Sequence, residues 1–352
     1  MSLNSTSLLL ERSASQFTGK VLFANPEDSF PLTLLDQADC FAWCQSKTVF
    51  NQLSRAGMDE SKMAFAATWE HNTADFDHII IYQPKAKELL DYLLAVCLPL
   101  LKMGGQVWLV GDNKSGVKSA YKKLNTGLEN VGKVEGAKHC LLYVGDKQAE
   151  SPAFNYESWV KTWTQEVAGK SIILKSLPGV FGHGKLDLGT KLFLEQLDQH
   201  RFMSQVSDAR MLDFGCGDGI ISIWLAMHTN ARITALDDSA LAIEATKMSC
   251  EANGVLEKIT FLGSNGLTEV KGRFNYIFSN PPFHKGTDTD YSIAENFIMN
   301  AKQHLTLNGE LFIVANDFLR YPSIIDAALG THTRLNRAQG FAIYHARQKK
   351  PK

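Results

Sequence analysis

A four-residue segment, Asn280-Pro281-Pro282-Phe283, carries the most specific chemistry in the sequence. The side-chain oxygen of Asn280 and the backbone carbonyl of Pro281 can accept hydrogen bonds from both N–H groups of an exocyclic amine on an aromatic ring. Those acceptors would draw the nitrogen lone pair out of the ring and toward an electrophile, while the prolines keep the backbone stiff. Phe283 can stack on the planar ring. The segment predicts methylation of a planar nitrogen, with His284 at the edge of the pocket.

A glycine-rich turn earlier in the chain, Leu212-Asp-Phe-Gly-Cys-Gly-Asp-Gly219, predicts the methyl donor. Its glycines let the backbone turn tightly and approach a ligand closely at the start of a helix. An acid just before the first glycine, together with the missing Gly-x-Gly-x-x-Gly spacing, favours S-adenosylmethionine over a dinucleotide. The expected cofactor contacts are Asp213, Phe214, Gly215, Cys216, Gly217 and Gly219.

Two further segments are expected to complete the nucleoside site. Asp237 ends the next apolar strand, where a carboxylate can accept hydrogen bonds from both ribose hydroxyls. Asp238 could hold that role instead, or simply begin the turn. NAD enzymes share such an acid, so it supports a nucleoside cofactor without naming it. Ser264 and Asn265 follow a third strand and are placed to contact the adenine edge, although an ordinary loop asparagine fits the pattern nearly as well.

The second half of the chain is predicted to form an α/β domain with a mainly parallel sheet. Apolar strands alternate with helices of 3.6-residue periodicity, and a closing hairpin at 334–347 adds an antiparallel edge. Ligands of such sheets bind at the carboxyl ends of the strands. The glycine loop, Asp237 and Asn280 all fall at those ends, and this agreement supports the cofactor site more than any single motif does.

Together these motifs resemble the Rossmann-like class I methyltransferases, and specifically the bacterial ribosomal RNA guanine-N2 methyltransferases. Leu177–Thr190 looks like the family's entry segment, and its matches at Asp187, Gly189 and Thr190 imply a lid over the cofactor. Gly182-His183 departs from the family's usual polar pair. Residues 110–119 are closest to the small-subunit enzymes. The resemblance therefore implies S-adenosylmethionine as cofactor and a guanine of 16S rRNA, in the 30S subunit, as substrate. The 23S rRNA enzymes are the alternative.

The first half of the chain is a modified copy of the second. Phe76–Pro84 echoes Phe274–Pro282 at an offset of 198 residues, and Leu101–Val110 echoes Leu305–Val314 at an offset of 204. The copy has Tyr82 where the second half has Asn280, and Asn25-Pro26 where the glycines stand. The sequence thus predicts two tandem Rossmann-like methyltransferase domains, the N-terminal one degenerate and kept as a scaffold or RNA-docking module. The predicted bounds are 1–150 for the degenerate domain, 151–170 for a linker and 171–352 for the catalytic domain.

Charge and composition restrict the partners. A net charge of −1 and a pI near 6.8 mean that any RNA-binding surface must be a local patch. Lys114, Lys118 and Lys122 are spaced to line one face of a helix at 115–124, which could dock RNA or be only a solvated surface.

The remaining expectations concern compartment and assembly. The six cysteines lack metal-ligand spacing and are expected to be reduced thiols, with no metal site. Without an eighteen-residue apolar run or a basic leader, we expect a cytoplasmic protein with no membrane contact. A monomer is expected, because the duplication provides internal pairing. Two rival classes stay open: a methyltransferase for a small molecule or a protein glutamine, and a non-catalytic RNA-binding factor.

Overall fold

The computed structural model describes residues 3–200, 208–281 and 288–349. The chain divides into two compact units, Met1–Trp159 and Val160–Lys352. This division falls inside the predicted linker at 151–170. The later part of that linker is not irregular: Lys161–Val167 pairs antiparallel with Lys170–Ser176 through a turn at residues 168–169. Ile172 and Leu174 are fully buried in the core of the second unit, so this hairpin belongs to it.

The first unit is built on a seven-stranded mixed sheet in the order β3-β2-β1-β4-β5-β7-β6. Strands β1 to β5 are parallel, and the β6–β7 hairpin adds an antiparallel edge. Its helices are α1 (Ser5–Leu10), α2 (Lys47–Arg55), α3 (Lys87–Leu100) and α4 (Val117–Ala120). Its strands are β1 (Gly19–Ala24), β2 (Ala38–Cys44), β3 (Met63–Phe65), β4 (Phe76–Tyr82), β5 (Leu101–Asp112), β6 (Glu129–Ala137) and β7 (Cys140–Asp146).

The second unit repeats this plan, with the order β12-β11-β10-β13-β14-β16-β15 in its seven-stranded sheet. The strands, including the separate β8–β9 hairpin, are β8 (Lys161–Val167), β9 (Lys170–Ser176), β10 (Arg210–Phe214), β11 (Arg232–Asp237), β12 (Ile259–Gly263), β13 (Phe274–Ser279), β14 (Leu305–Asn316), β15 (His332–Ala338) and β16 (Phe341–Arg347). The helices are α5 (Leu188–Asp198), α6 (Ile220–His228), α7 (Ala240–Ala252), α8 (Asp288–His304) and α9 (Tyr321–Leu329).

Two separate apolar clusters show that helices cover both faces of the second sheet. Successive residues of β10 alternate between them: Met211 packs with Trp224 of α6 in one cluster, and Leu212 packs with Phe297 of α8 in the other. Side chains of a strand point alternately to the two faces, so a strand covered on both faces is mainly apolar; the buried exception in β10 is Asp213, which is hydrogen-bonded to Ser222. The doubly wound α/β architecture predicted from the sequence is confirmed.

Strand register confirms the internal duplication. His78 of β4 lies opposite Val21 and Gln106, and Tyr276 of β13 lies opposite Met211 and Glu310. These pairings reproduce the offsets of 198 and 204 residues seen in the sequence. They add a third offset, 190 residues, between β1 and β10. Both copies also carry the same register irregularity at the start of the fourth strand.

The turn after β1 keeps its backbone shape although it has lost its glycines. The offset of 190 places Asn25 at the position of Gly215, and both are left-handed, with φ of 56° and 76°. The Asn25 N–H donates to the Trp43 carbonyl, as the Gly215 N–H donates to Leu236, both at 2.8 Å. Asparagine tolerates this region better than other non-glycine residues. A left-handed residue and its hydrogen bond to the neighbouring strand are thus kept at this position without a glycine.

Helix α1 closes the carboxyl end of the first sheet. Asp28 is buried there and accepts hydrogen bonds from the Asn4 N–H at 2.6 Å, the Ser7 hydroxyl at 2.8 Å and the Phe30 N–H at 3.0 Å. The Ser7 hydroxyl also lies 3.0 Å from the Tyr82 hydroxyl, and Tyr82 is fully buried. In the first unit, the chain's own side chains therefore occupy the end of β4.

The lysine-bearing segment of the first unit is not one α-helix. Only residues 117–120 are α-helical, between 3₁₀ turns, and Gly116 is left-handed with φ of 85°. The helix at 115–124 is thus only partly formed, because the left-handed Gly116 separates Lys114 from the helical residues 117–126. Lys114, Lys118 and Lys122 are nevertheless all exposed.

Two further observations bear on compartment. In the part of the chain that the structure describes, no helix is both long and apolar enough to cross a bilayer. All six cysteines are buried as free thiols.

Replacing Asp28 with Ala should lower the free energy of unfolding of the first unit by about 2–4 kcal/mol, because three donors, two of them in buried hydrogen bonds, lose their acceptor. Denaturant unfolding followed by tryptophan fluorescence measures this. The control is Asp36→Ala, an exposed aspartate in the same unit. Equal unfolding midpoints for the two variants would show that the Asp28 hydrogen bonds do not stabilise the first unit.

Candidate active site

A cavity of about 410 Å³ opens at the carboxyl ends of the parallel strands of the second unit. The glycine loop after β10, the end of β11, the turn after β12 and the residues after β13 line one side of it. The segment at 179–190 and residues from the ends of β14 and β16 line the rest. This is the location that the sequence predicted for the cofactor.

The loop after β10 needs its glycines. Gly215, Gly217 and Gly219 all have positive φ, at 76°, 58° and 89°. A Cβ on Gly219 would lie 3.1 Å from the Thr246 Cα, so a side chain there would also collide with α7. Gly215 and Gly217 have open space around them, which leaves the loop backbone accessible to a ligand. Predicted contacts Phe214, Gly215, Cys216 and Gly217 line the cavity, whereas Gly219 does not.

Asp213 lies beneath the loop rather than on the cavity. It is fully buried, and its Oδ2 accepts hydrogen bonds from the Ser222 N–H at 3.1 Å and the Ser222 hydroxyl at 2.7 Å. Its Oδ1 has no hydrogen-bond partner among the described residues. Burial raises the pKa of Asp213 to about 7. The side chain predicted to contact the cofactor instead fixes the first turn of α6 against the sheet.

Two other carboxylates do line the cavity at this end. Asp237 accepts hydrogen bonds from the Ser239 N–H at 2.9 Å and the Gly217 N–H at 3.2 Å, and burial raises its pKa to about 6. Asp218, which we did not predict, is also on the cavity, and burial raises its pKa to about 7. Asp238 is a further lining residue. Desolvated carboxylates of this kind are stabilised in their charged form by a cationic ligand.

Only part of the predicted adenine contact lies on the cavity. Ser264 and Gly266 line it, but Asn265 does not. The Ser264 hydroxyl is held by the Glu269 carboxylate at 2.6 Å, and the Asn265 N–H donates to the same carboxylate at 2.9 Å. Glu269 therefore shapes the turn, and Gly266 rather than Asn265 lies on the cavity.

Asn280 and Pro281 lie on the same cavity as the glycine loop. The Asn280 side-chain nitrogen donates to the Thr190 hydroxyl at 2.8 Å and to the Asp187 carboxylate at 3.1 Å. Asp187 is also the N-cap of α5, where it accepts from the Thr190 N–H at 2.9 Å. The predicted lid residues Asp187 and Thr190 thus contact Asn280 directly. Pro282, Phe283 and His284 lie outside the described residues.

The predicted lid residue Gly189 is buried behind the cavity. A Cβ there would meet the Phe341 ring at 2.7 Å, so glycine allows α5 to pack closely against β16. Several lining residues carry no motif that the sequence could have revealed. They are Ile220, Ile293, Asn316, Leu319 and Phe341, whereas Val180 and Phe181, which also line the cavity, belong to the entry segment Leu177–Thr190. Phe181 is 56% exposed, which places an aromatic side chain at the rim of the cavity.

The arrangement suits methyl transfer. Acidic groups lie at the loop end of the cavity, where a cationic donor would bind, and amide and carbonyl acceptors lie at the β13 end. The donor and an amine substrate could therefore meet in one cavity, which shields them from water.

Comparison with known proteins identifies both units. The family model for the methyltransferase small domain matches residues 171–345, and that for the N-terminal region of the same domain matches residues 7–163. The chain is 64% identical, over the full length of both proteins, to a ribosomal RNA small subunit methyltransferase C from Marinomonas sp. (strain MWYL1). It is 36% identical to the protein of that name from Vibrio parahaemolyticus, with 97% of this chain and 98% of the other covered.

A solved structure agrees over nearly the whole chain. The 16S rRNA N2 G1207 methyltransferase of T. thermophilus, in complex with AdoMet and guanosine, matches with a TM-score of 0.88 and 25% identity, covering 98% of this chain and 92% of the other. The family models, the full-length relatives and this fold lead to one conclusion: the chain belongs to the ribosomal RNA small subunit methyltransferase C family.

Proposed function

We propose that the protein methylates the exocyclic N2 amine of a guanine in 16S rRNA, at the position corresponding to G1207, with S-adenosylmethionine as donor. The observation that carries the proposal is that Asn280 and Pro281 share one cavity with the glycine loop and Asp237. The full-length identity of 64% to a member of the family supports the choice of substrate.

The residues on the cavity fit S-adenosylmethionine, which supplies an electrophilic methyl group on a positively charged sulfur. Asp237 would accept hydrogen bonds from the ribose hydroxyls, and Ser264 and Gly266 would border the adenine. The open backbone at Gly215 and Gly217 would approach the amino-acid end. Asp218 is placed to balance positive charge there, because it is a buried carboxylate on the cavity without a basic partner among the described contacts.

Asn280 and Pro281 would act on the substrate amine. The Asn280 nitrogen already donates to Thr190 and Asp187, so its side-chain oxygen is the end that can accept from the amine. The Pro281 carbonyl would accept from the second N–H. With both N–H groups held, the nitrogen lone pair can point at the methyl group, and the extra proton leaves after the new C–N bond has formed. No strong general base is needed.

The first unit is proposed to be a catalytically inactive scaffold that docks RNA. By the offsets established above, Phe23 replaces Asp213, and Tyr82 replaces Asn280 and is hydrogen-bonded to Ser7. The exposed lysines at 114, 118 and 122 are the proposed RNA contacts. We further propose that the assembled 30S subunit is the substrate and that the protein acts as a monomer in the cytoplasm.

Replacing Asn280 with Ala should reduce kcat at least about 100-fold, because a preorganised acceptor for the amine is lost. The dissociation constant for S-adenosylmethionine should change less than about 3-fold, since the nucleoside contacts remain. Methyl incorporation into 30S subunits, naked 16S rRNA and 23S rRNA is measured, with the exposed Asn300→Ala as control. Full activity of Asn280→Ala would refute the mechanism. Incorporation into 23S rRNA, a protein or a metabolite alone would refute the substrate.

Affinity for S-adenosylmethionine should fall as the pH is lowered. The pKa values of Asp237 and Asp218 are raised to about 6 and about 7 in the free protein, and a cationic ligand binds their ionised forms. Binding should be strongest above pH 7.5 and weaken at least about 5-fold by pH 5.5, as the carboxylates take up protons. Calorimetric titration across this range tests the prediction. In Asp237→Asn, the affinity for S-adenosylmethionine should depend less on pH over the acidic part of this range. An affinity that does not change with pH in the unsubstituted protein would contradict the prediction.

Replacing Lys114, Lys118 and Lys122 together with Gln should weaken binding to 16S rRNA by about 10-fold or more and reduce its salt dependence, because phosphate contacts are lost. Activity at saturating RNA should not change. The matched control replaces three other exposed lysines of the first unit, Lys20, Lys85 and Lys133. Equal weakening by both triple variants would show that the effect is one of general charge, not of a docking patch.

A further inference from the structure

We propose that Asp187 and Thr190 are positioning residues that fix the direction in which the Asn280 amide faces. The inference rests on the proposed role of Asn280 as an acceptor for the substrate amine. Nitrogen and oxygen of an amide are nearly equal in size, but only the oxygen can accept from the amine. An Asn280 amide turned by 180° would direct its own N–H donors at the N–H groups of the substrate amine. No hydrogen bond could form between them, and the reaction would not be supported.

The contacts of the Asn280 amide permit only one orientation. The Asp187 carboxylate can only accept, and its Oδ2 lies 3.1 Å from the Asn280 nitrogen. The Thr190 hydroxyl lies 2.8 Å from the same nitrogen and 3.4 Å from Asp187 Oδ2, to which its own hydrogen can point. Turning the amide over would place its oxygen against a carboxylate oxygen. Amide orientation is assigned from such networks, and here the acceptor-only partner decides it.

The two partners are themselves held rigidly. Asp187 is fixed as the N-cap of α5 by the Thr190 N–H at 2.9 Å, and Thr190 is buried. Gly189, between them, packs so closely on Phe341 that a Cβ would lie 2.7 Å from the ring. The start of α5 therefore cannot shift toward or away from the end of β13 without a collision or a gap.

The duplicated unit keeps the framework of this contact without its chemistry. Asn4, the N-cap of α1, and Ser7 precede Asp187 and Thr190 by the same 183 residues. Ser7 touches Tyr82, the counterpart of Asn280. In both units the start of the first helix meets the end of the fourth strand. In the first unit Ser7 is hydrogen-bonded to Tyr82 and Asp28, whereas the second unit has an amide, Asn280, at the end of the strand, held by the carboxylate and the hydroxyl of the helix start; packing alone does not account for that amide.

The first test separates orientation from folding. Thr190→Val removes the hydroxyl at nearly constant volume, whereas Thr190→Ser keeps it. Asp187→Asn keeps a good helix N-cap but offers a group that can donate as well as accept. We expect Thr190→Val and Asp187→Asn to lower kcat about 10- to 100-fold, as expected for a misplaced reacting group, with KM for S-adenosylmethionine and the unfolding temperature little changed. Thr190→Ser should stay within about 3-fold of the parent.

The second test exchanges the pair. Asn280→Asp alone brings two carboxylates together and should be nearly inactive. Combining it with Asp187→Asn restores one donor and one acceptor, so the exchanged pair should recover at least about 10-fold in kcat over Asn280→Asp alone. A purely structural role for residue 187 would give no such rescue. Full kcat in Asp187→Asn and Thr190→Val, or absence of rescue in the exchanged pair, would overturn the inference.

Together with the Asn280→Ala variant described above, these tests distinguish a failure of this inference from a failure of the proposed function. If Asn280→Ala keeps full activity, the proposed role of Asn280 fails and the positioning role fails with it. If Asn280→Ala is inactive but Asp187→Asn and Thr190→Val retain full kcat, the proposed function stands and only the positioning role is wrong.

Discussion

The parallel register of Arg210–Phe214 with Phe274–Ser279 is the constraint on which the site depends. Phe214 lies opposite Ser279, and the buried Ser279 hydroxyl donates to the Phe214 carbonyl at 2.8 Å. The next residue on each strand is the first of a functional segment: Gly215 begins the glycine loop, and Asn280 begins the segment that meets the substrate. A slip of one residue would turn the shifted strand over relative to its partner and send its apolar side chains to the wrong faces. Core packing on both faces of the sheet therefore also fixes the distance between donor loop and acceptor amide.

Comparison of the two units shows that only a few residues of the fold are specific to the site. Strand order, register and even the left-handed turn at Asn25 are common to both. The differences that affect the site are a few side chains at the carboxyl ends of the strands. Phe23 is fully buried where the second unit has Asp213, and Tyr82 is fully buried where it has Asn280. A large apolar or aromatic side chain at such a position stabilises the unit by burial, and so the loss of the site carries no cost in stability.

The sequence predicted the architecture well, because apolar periodicity and the two repeat offsets are local or pairwise signals. Both are confirmed by sheet order and register. It predicted the site less completely. The contact between Asp187 and Asn280 joins residues 93 positions apart, and no rule of sequence spacing predicts it. Asp218 was overlooked because an acid after a glycine is also common in turns. The helix at 115–124 forms only in part, because Gly116 adopts a left-handed conformation that the lysine spacing does not reveal.

The grouped carboxylates at the glycine loop have a consequence for turnover. Asp213, Asp218 and Asp237 are all desolvated, and each has a raised pKa. Methyl transfer converts a sulfonium into a neutral thioether, so the spent nucleoside carries one positive charge fewer than the fresh one. A cavity that is electrostatically matched to the cation holds the neutral product less tightly. Asp218 and Asp237, the two of these acids that line the cavity and are proposed to favour capture of the donor, would therefore also favour its replacement after each reaction, and product inhibition should be weakest where both are ionised.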